Sequence, residues 1–246
     1  MLTDIAQGFC DLLYPPVCLL CRQSLPQEMR NDSLCTLCRD TIEFNIPPFC
    51  FKCSRHLDPN GTGAVCRQCR DASHDFDEAW AAVLYNREMR HLIHLFKYAG
   101  KTGLAKEFSR FIVSFLEQYS IRLNGYDLVV PVPLHSSRMR ERGYNQGELL
   151  SRQVAEAFAL PCVPEILHRR RATEYQARLS PKQRWTNIDG AFRINYPERF
   201  KNKSILVVDD LLTTGTTASE IAKILKRSGA GRVGVLTLAI ADSIEH

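Results

Sequence analysis

Two acidic side chains, Asp209 and Asp210, stand between a run of apolar residues and a run of hydroxyls in the segment 205–217, ILVVDDLLTTGTT. Ile205, Leu206, Val207 and Val208 read as a strand buried on both faces. The carboxylates follow where that strand should emerge at its carboxyl end, the edge at which open α/β sheets bind ligands. Leu212, Thr213, Thr214, Gly215, Thr216 and Thr217 come next and lead straight into a helix. Gly215 lets the backbone turn closely around an anion, which loop amides, hydroxyls and the positive helix end can all bond. The upstream carboxylates can accept from the 2'- and 3'-hydroxyls of a ribose and, as hard oxygen donors, help hold Mg2+. An ordinary strand with an acidic end and a threonine-rich helix cap would account for Asp-Asp alone. The whole pattern points to a ribose-phosphate cradle.

The second chemical signal is sulfur. Eight of the ten cysteines form four CxxC pairs: Cys18 and Cys21, Cys35 and Cys38, Cys50 and Cys53, Cys66 and Cys69. The gaps between successive pairs are 13, 11 and 12 residues. Each pair puts two thiolates on one turn, and two pairs complete a tetrahedral zinc site with four sulfur ligands. Four pairs imply two structural zinc ions, or one with four spare thiols, and a site with four sulfurs leaves no open position for catalysis. Three pairings of the pairs are open; the consecutive one is preferred to the interleaved, cross-braced one. His56 reads as a bystander, and Cys10 and Cys162 as small core residues.

The elements that must position these groups change character near Asp75. Residues 1–75 are rich in turn formers, lack a sustained helical period and need a metal staple to order. From residue 76 to 246 strands alternate with helices. Strands are expected over 79–85, 128–132, 204–208 and 233–240. Helices are expected over 89–98, 104–119, 143–160 and 216–228. That alternation predicts an α/β fold with a parallel sheet flanked by helices.

Composition narrows the function. The chain has 246 residues, 45% of them hydrophobic, and a net charge of +5. Ten basic against five acidic side chains lie between His135 and Arg184, an excess equal to that of the whole chain. Such a local field suits phosphate-rich ligands. Asp4, Asp11, Pro15 and Pro16 interrupt the start of the chain, and no stretch approaches the roughly 18 apolar residues of a spanning helix. The expectation is a soluble cytoplasmic protein without membrane insertion. Gly100-Lys101-Thr102 imitates the end of a P-loop, but the first glycine of that motif would fall at Leu95, and a helix precedes it where a strand is required.

Residues 205–217 resemble the 5-phosphoribosyl-1-pyrophosphate (PRPP) motif of type I phosphoribosyltransferases. Over essentially the whole chain the resemblance is to the ComF family, also called amidophosphoribosyltransferase-like, which includes GntX-type proteins. It is carried by the cysteine-rich head and by IHLFKYAGK (93–101), DLVVPVPLHSSRMRERGYNQGELLSRQ (127–153) and RRRATEYQARLSPKQRWTNIDGAF (169–192). The resemblance implies that Asp209 and Asp210 hold the ribose hydroxyls and serve any catalysis, with Leu212 and Thr213–Thr217 around the 5'-phosphate. It assigns Val132, Pro133, Leu134 and His135 to a pyrophosphate loop, with Arg138 and Arg142 behind it. It makes 169–192 a hood, with Arg184 and Asn187 its functional members. A glutaminase nucleophile is not supported, because the chain begins Met1-Leu2-Thr3 and its head is a metal module.

The family's association with natural competence implies cytoplasmic handling of incoming single-stranded DNA, with PRPP, single-stranded DNA and competence helicase or membrane-channel proteins as partners. Catalysis, if present, would displace Mg-pyrophosphate from ribose C1. Two other classes stand beside the transferase: a nucleic-acid-binding adaptor that uses the arginines with Tyr144, Tyr175 and Trp185 as stacking platforms, and a non-catalytic PRPP sensor.

Overall fold

The computed structural model describes residues 15–57, 63–71, 74–171 and 188–241. Its centre is a four-stranded sheet in the order β1-β6-β5-β2, with every neighbouring pair parallel. The strands are β1 (Glu78–Leu84), β2 (Leu128–Pro131), β5 (Ser204–Leu212) and β6 (Arg232–Ile240). Alternation within β5 explains the burial on both faces. Leu206 and Val208 enter one core with Phe96, Phe108 and Phe115, while Ile205 and Val207 enter the other with Phe76 and Ile221.

Two helices lie ahead of these strands in the head, α1 (Thr36–Asp40) and α2 (Arg67–Asp71), and both are too short to show a period in the sequence. The first core is covered by α3 (Arg87–Tyr98), α4 (Leu104–Gln118) and α6 (Gln146–Ala157), and the second by α7 (Thr216–Arg227). Helix α3 directly precedes Gly100, so the P-loop imitation sits after a helix.

Two boundaries differ from the sequence reading. The helix expected over 143–160 is shorter, Gln146–Ala157, and a separate short helix that was not expected precedes it. The arginine-rich α5 (Ser136–Arg142) stops at Gly143 with φ 79°, and α6 restarts at Gln146 under the Asn145 cap. β5 also runs on to Leu212, so Asp209 and Asp210 belong to the strand rather than following it. Pairing with β6 as far as Leu212↔Ile240 extends the ladder past the apolar run. A further pair, β3 (Leu167–Arg169) and β4 (Phe192–Ile194), is antiparallel and frames the 169–192 stretch.

The head lies along the outer edge of β1. Leu84 N donates to Glu43 O and Asn45 N to Ala82 O, each at 2.8–2.9 Å. An otherwise open strand edge is thereby covered. On the other side, Glu107 of α4, 2% exposed, accepts from Arg39 Nε at 2.6 Å. Arg110 bridges Glu107 and Asp32. Among the described residues no helix is long and apolar enough to cross a membrane.

Candidate functional site

A cavity of about 470 Å3 opens at the carboxyl ends of β2 and β5. Its wall includes Asp209 and Asp210, the loop residues Leu212, Thr213, Gly215, Thr216 and Thr217, and from across the cleft Val132, Pro133, Leu134, Arg138 and Arg142. The acidic pair points into a mixed field. Lys97, from the last turn of α3, lies 2.6 Å from Asp210 Oδ2. Burial and the adjacent Asp210 charge push the Asp209 carboxyl up to about 7, against the pull of Lys97. Burial alone would lower the Lys97 ammonium, but Asp210 and Asp209 together hold it above its ordinary value. Near neutrality Asp209 thus sits close to its midpoint, and losing its proton adds a strong acceptor to the cavity wall. Two hard oxygen donors side by side on a cavity wall fit a divalent cation.

The loop after β5 has the geometry of an anion cradle. Gly215 caps α7 with φ 76° and has no side chain to bond the first-turn amides. Thr214 Oγ1 and Thr216 Oγ1 are 3.1 Å apart. Glycine is required at 215 twice over, since a Cβ there would also lie 3.0 Å from the His74 ring. Burial, then the Arg55 and Lys52 charges, holds the His74 imidazolium below its ordinary value. It stacks on Phe76 with centroids 4.7 Å apart.

Facing the loop, the segment after β2 is held by its own sequence. Val132 N donates to Val208 O at 3.0 Å. Asn145 caps α6 through Gly147 N and donates from Nδ2 to Val132 O, both at 3.1 Å. Gly147 packs so closely that a Cβ would lie 2.9 Å from Val132 O. Tyr144 donates to Phe96 O, tying the turn to α3. The GYNQ sequence is therefore a clamp on the 132–135 loop. His135 caps α5, its Nδ1 accepting from Ser137 N at 3.2 Å. Neither His135 nor Thr214 is part of the cavity wall.

The cysteines form two clusters, Cys18, Cys21, Cys35 and Cys38, then Cys50, Cys53, Cys66 and Cys69, each with its sulfurs within 4.8 Å of one another. This is the consecutive arrangement. Bonds of about 2.3 Å to zinc put tetrahedral sulfurs roughly 3.8 Å apart. Cys21 and Cys35 sulfurs are 3.7 Å apart, and those of Cys53 and Cys66 3.6 Å. Amides also point at the sulfurs, Cys38 N to Cys35 and Cys66 N to Cys50, as around metal-bound thiolates. The donor sets fit zinc. His56 bonds Ile46 O and takes no part, and Cys162 packs against the first core. Cys10 lies outside the described residues.

Comparison with known proteins agrees with both halves. Residues 9–70 match the double zinc ribbon domain and residues 141–244 the phosphoribosyl transferase domain. The chain is 30% identical to the DNA utilization protein YhgH of Escherichia coli over 231 residues, covering 92% of this chain and 98% of that one. The chain belongs to the ComF family. It is also 29% identical to Competence protein F of Haemophilus influenzae, covering 91% and 96% of the two chains. Identity with Competence protein ComFC of Bacillus subtilis is 27%, covering 90% and 94%. The sheet of this ComF-family chain is accordingly of the type I phosphoribosyltransferase kind, behind a double zinc ribbon with two four-cysteine sites.

Several wall residues of the ComF-family cavity were not singled out by sequence reasoning. Lys97 and Tyr98 sit inside the quoted KYAGK segment, and a lysine one helical turn from the buried Ile93 was the available signal. Arg169 also reaches the cavity from β3; burial, then the Arg138 charge, lowers its guanidinium to about 10. Arg55 and His74 belong to the head, and nothing local in the sequence joins them to residue 213. Arg184 and Asn187, the hood candidates, and Tyr175 and Trp185 lie outside the described residues.

Proposed function

We propose that this chain binds PRPP with Mg2+ in the β2–β5 cleft, as a phosphoribosyltransferase-type protein (76–246) with a zinc-binding head (1–75). The reading rests on one observation: the Asp209–Asp210 pair and the glycine-capped α7 terminus share a cavity with Arg138 and Arg142. The 5'-phosphate caps α7 through the 213–217 amides and hydroxyls. Asp209 and Asp210 accept from the ribose hydroxyls, which displaces Lys97 from Asp210. The diphosphate lies along Val132–Leu134 with Arg138 and Arg142, whose planar forks can bond two oxygens at once. Bound Mg2+ supplies charge neutralisation on the diphosphate. In turnover, pyrophosphate leaves ribose C1 and a nucleophile takes its place, with either carboxylate stabilising the cationic sugar.

The relatives' names, competence protein and DNA utilization protein, support a role connected with competence and DNA use, and our reading extends that role to the cytoplasmic handling of incoming single-stranded DNA beside a helicase or membrane channel. Calorimetry of the zinc-loaded protein tests the site. PRPP with Mg2+ should bind, and the Asp209→Asn/Asp210→Asn variant should lose at least about tenfold in affinity. Unchanged binding in that variant sinks the assignment.

A nucleic-acid adaptor is favoured by one feature, the guanidinium of Arg142 over the 48% exposed Tyr98 ring at 4.9 Å. Such a pair at the cavity mouth offers charge and a stacking face to a single strand. Steep salt dependence of single-strand binding, reduced in Arg142→Ala, supports it. Pyrophosphate release with a panel of acceptors supports the enzyme. PRPP that alters single-strand affinity without turnover supports the sensor.

A further inference from the structure

The phosphate loop is backed by the zinc-binding head. Arg55 lies two residues beyond Cys53 and is 6% exposed. Its guanidinium spans two partners. Nη1 donates to the Cys53 sulfur at 3.4 Å, and Nη2 donates to the carbonyl of Thr213. The knuckle carrying it is fixed to the sheet, since Asn45 Nδ2 donates to Ser54 O at 2.8 Å and Ala81 N donates to Ser54 Oγ at 3.0 Å. Behind the same loop, the His74 ring abuts Gly215. Asp75 N donates to Ser219 Oγ, and that hydroxyl donates to Asp75 Oδ2, both at 2.9 Å. The turn that faces the cavity is thus held from behind by residues between the last cysteine pair and β1, and by Arg55.

We propose that the second cysteine cluster is a working part of the phosphate site, with Arg55 as the positioning residue that couples metal occupancy there to the shape of the Thr213–Gly215 turn. The physical cause is placement: one side chain bonds a metal-ligand sulfur and the loop carbonyl together. Four thiolates on one Zn2+ carry a net negative charge, and a buried guanidinium beside them is compensated. When the metal leaves, the turn that carries Cys53 and Arg55 is no longer pinned to the other cysteine pair. A guanidinium whose backbone anchor has loosened no longer spans its two partners, and Thr213 O loses its donor. Coupling is reciprocal, so a phosphate that fixes the turn also holds zinc in the second cluster and leaves the first unaffected.

The inference uses the PRPP reading only for the identity of the ligand, and the test separates the two. Amide hydrogen exchange on the full zinc-loaded chain is compared between wild type and Arg55→Met, with zinc content measured on both. Two zincs per chain are expected in each, with exchange at 213–217 about tenfold faster in the variant and 204–208 unchanged. Arg55→Lys keeps a cation beside the thiolates but lacks the fork that spans both partners, so it should retain zinc and show the same loop effect. A variant with two zincs and wild-type exchange across 213–217 overturns the proposal, whether or not PRPP binds. The second arm follows alkylation of Cys66 and Cys69 against Cys18 and Cys21 by mass spectrometry. PRPP with Mg2+ should slow the first pair severalfold in wild type and not in Arg55→Met. Protection that is equal in both proteins also overturns it. Absence of PRPP binding in wild type would defeat the ligand reading alone, leaving the exchange arm to decide the coupling.

Discussion

The decisive titration belongs to Asp209. Its carboxyl is raised to about 7 by burial and by Asp210, with Lys97 opposing. A raised acid binds its proton more tightly in the folded chain. Its effect on stability is therefore unfavourable as pH climbs from the ordinary carboxylate range to about 7. Ligand binding runs the other way. Mg2+ and ribose hydroxyls need the ionised form, so PRPP affinity should rise with pH up to about 7 and then level off. Calorimetry in buffers of different ionisation heat checks this through proton release below pH 7, and Asp209→Asn should abolish it. Removing Lys97 as Lys97→Met should move the midpoint higher. At this scale the acidic pair, the threonine loop and the cysteines were legible because they are contiguous or regularly spaced. Lys97 and Arg55 were not, because Asp210 and Thr213, the partners that bring them to the site, lie more than a hundred residues away.

Two elements are set by glycines whose reasons are packing as well as turning. Gly147 in α6 leaves no room for a Cβ against Val132 O, and Val132 N is already held by β5. In an open helix Gly→Ala would add up to about 1 kcal/mol of stability. Here the backbone contact outweighs it, and Gly147→Ala should cost about 1–3 kcal/mol in urea unfolding and weaken PRPP binding. Unaltered stability would mean that the clamp on the 132–135 loop is slack. The strands were readable from their β-branched runs, whereas their ends were not. Asp209 and Asp210 are poor strand formers held in β5 by the ladder with β6. The break between α5 and α6 was written in Gly143, whose left-handed backbone ends one helix before Asn145 starts the next. Helix α5 itself went unread, because its seven residues carry one apolar side chain, Met139, and so show no period.

At the level of the whole molecule, the alternation of strands and helices was enough to give a parallel sheet flanked by helices. Its strand order was not legible, because long-range pairing leaves no local mark. Docking of the head was equally hidden. Glu107 lies on the core-facing side of α4, where its charge is satisfied by Arg39 of the first ribbon. Glu107→Leu should leave Arg39 short of a partner and lower stability by about 2–3 kcal/mol, with both zincs retained; a thermal melt with metal analysis reads both. The strand order has one more consequence, for the sequence of events during synthesis. β1 pairs only with β6 among the four strands, and β6 spans Arg232–Ile240. On the ribosome β1 must wait for some 150 residues before its sheet neighbour exists. Until then the early ribbons, which close locally around metal, cover the outer edge of β1, and the edge meant for β6 stays open. The zinc head would then serve the nascent chain by leaving it one open strand edge instead of two, before there is any cleft for it to support.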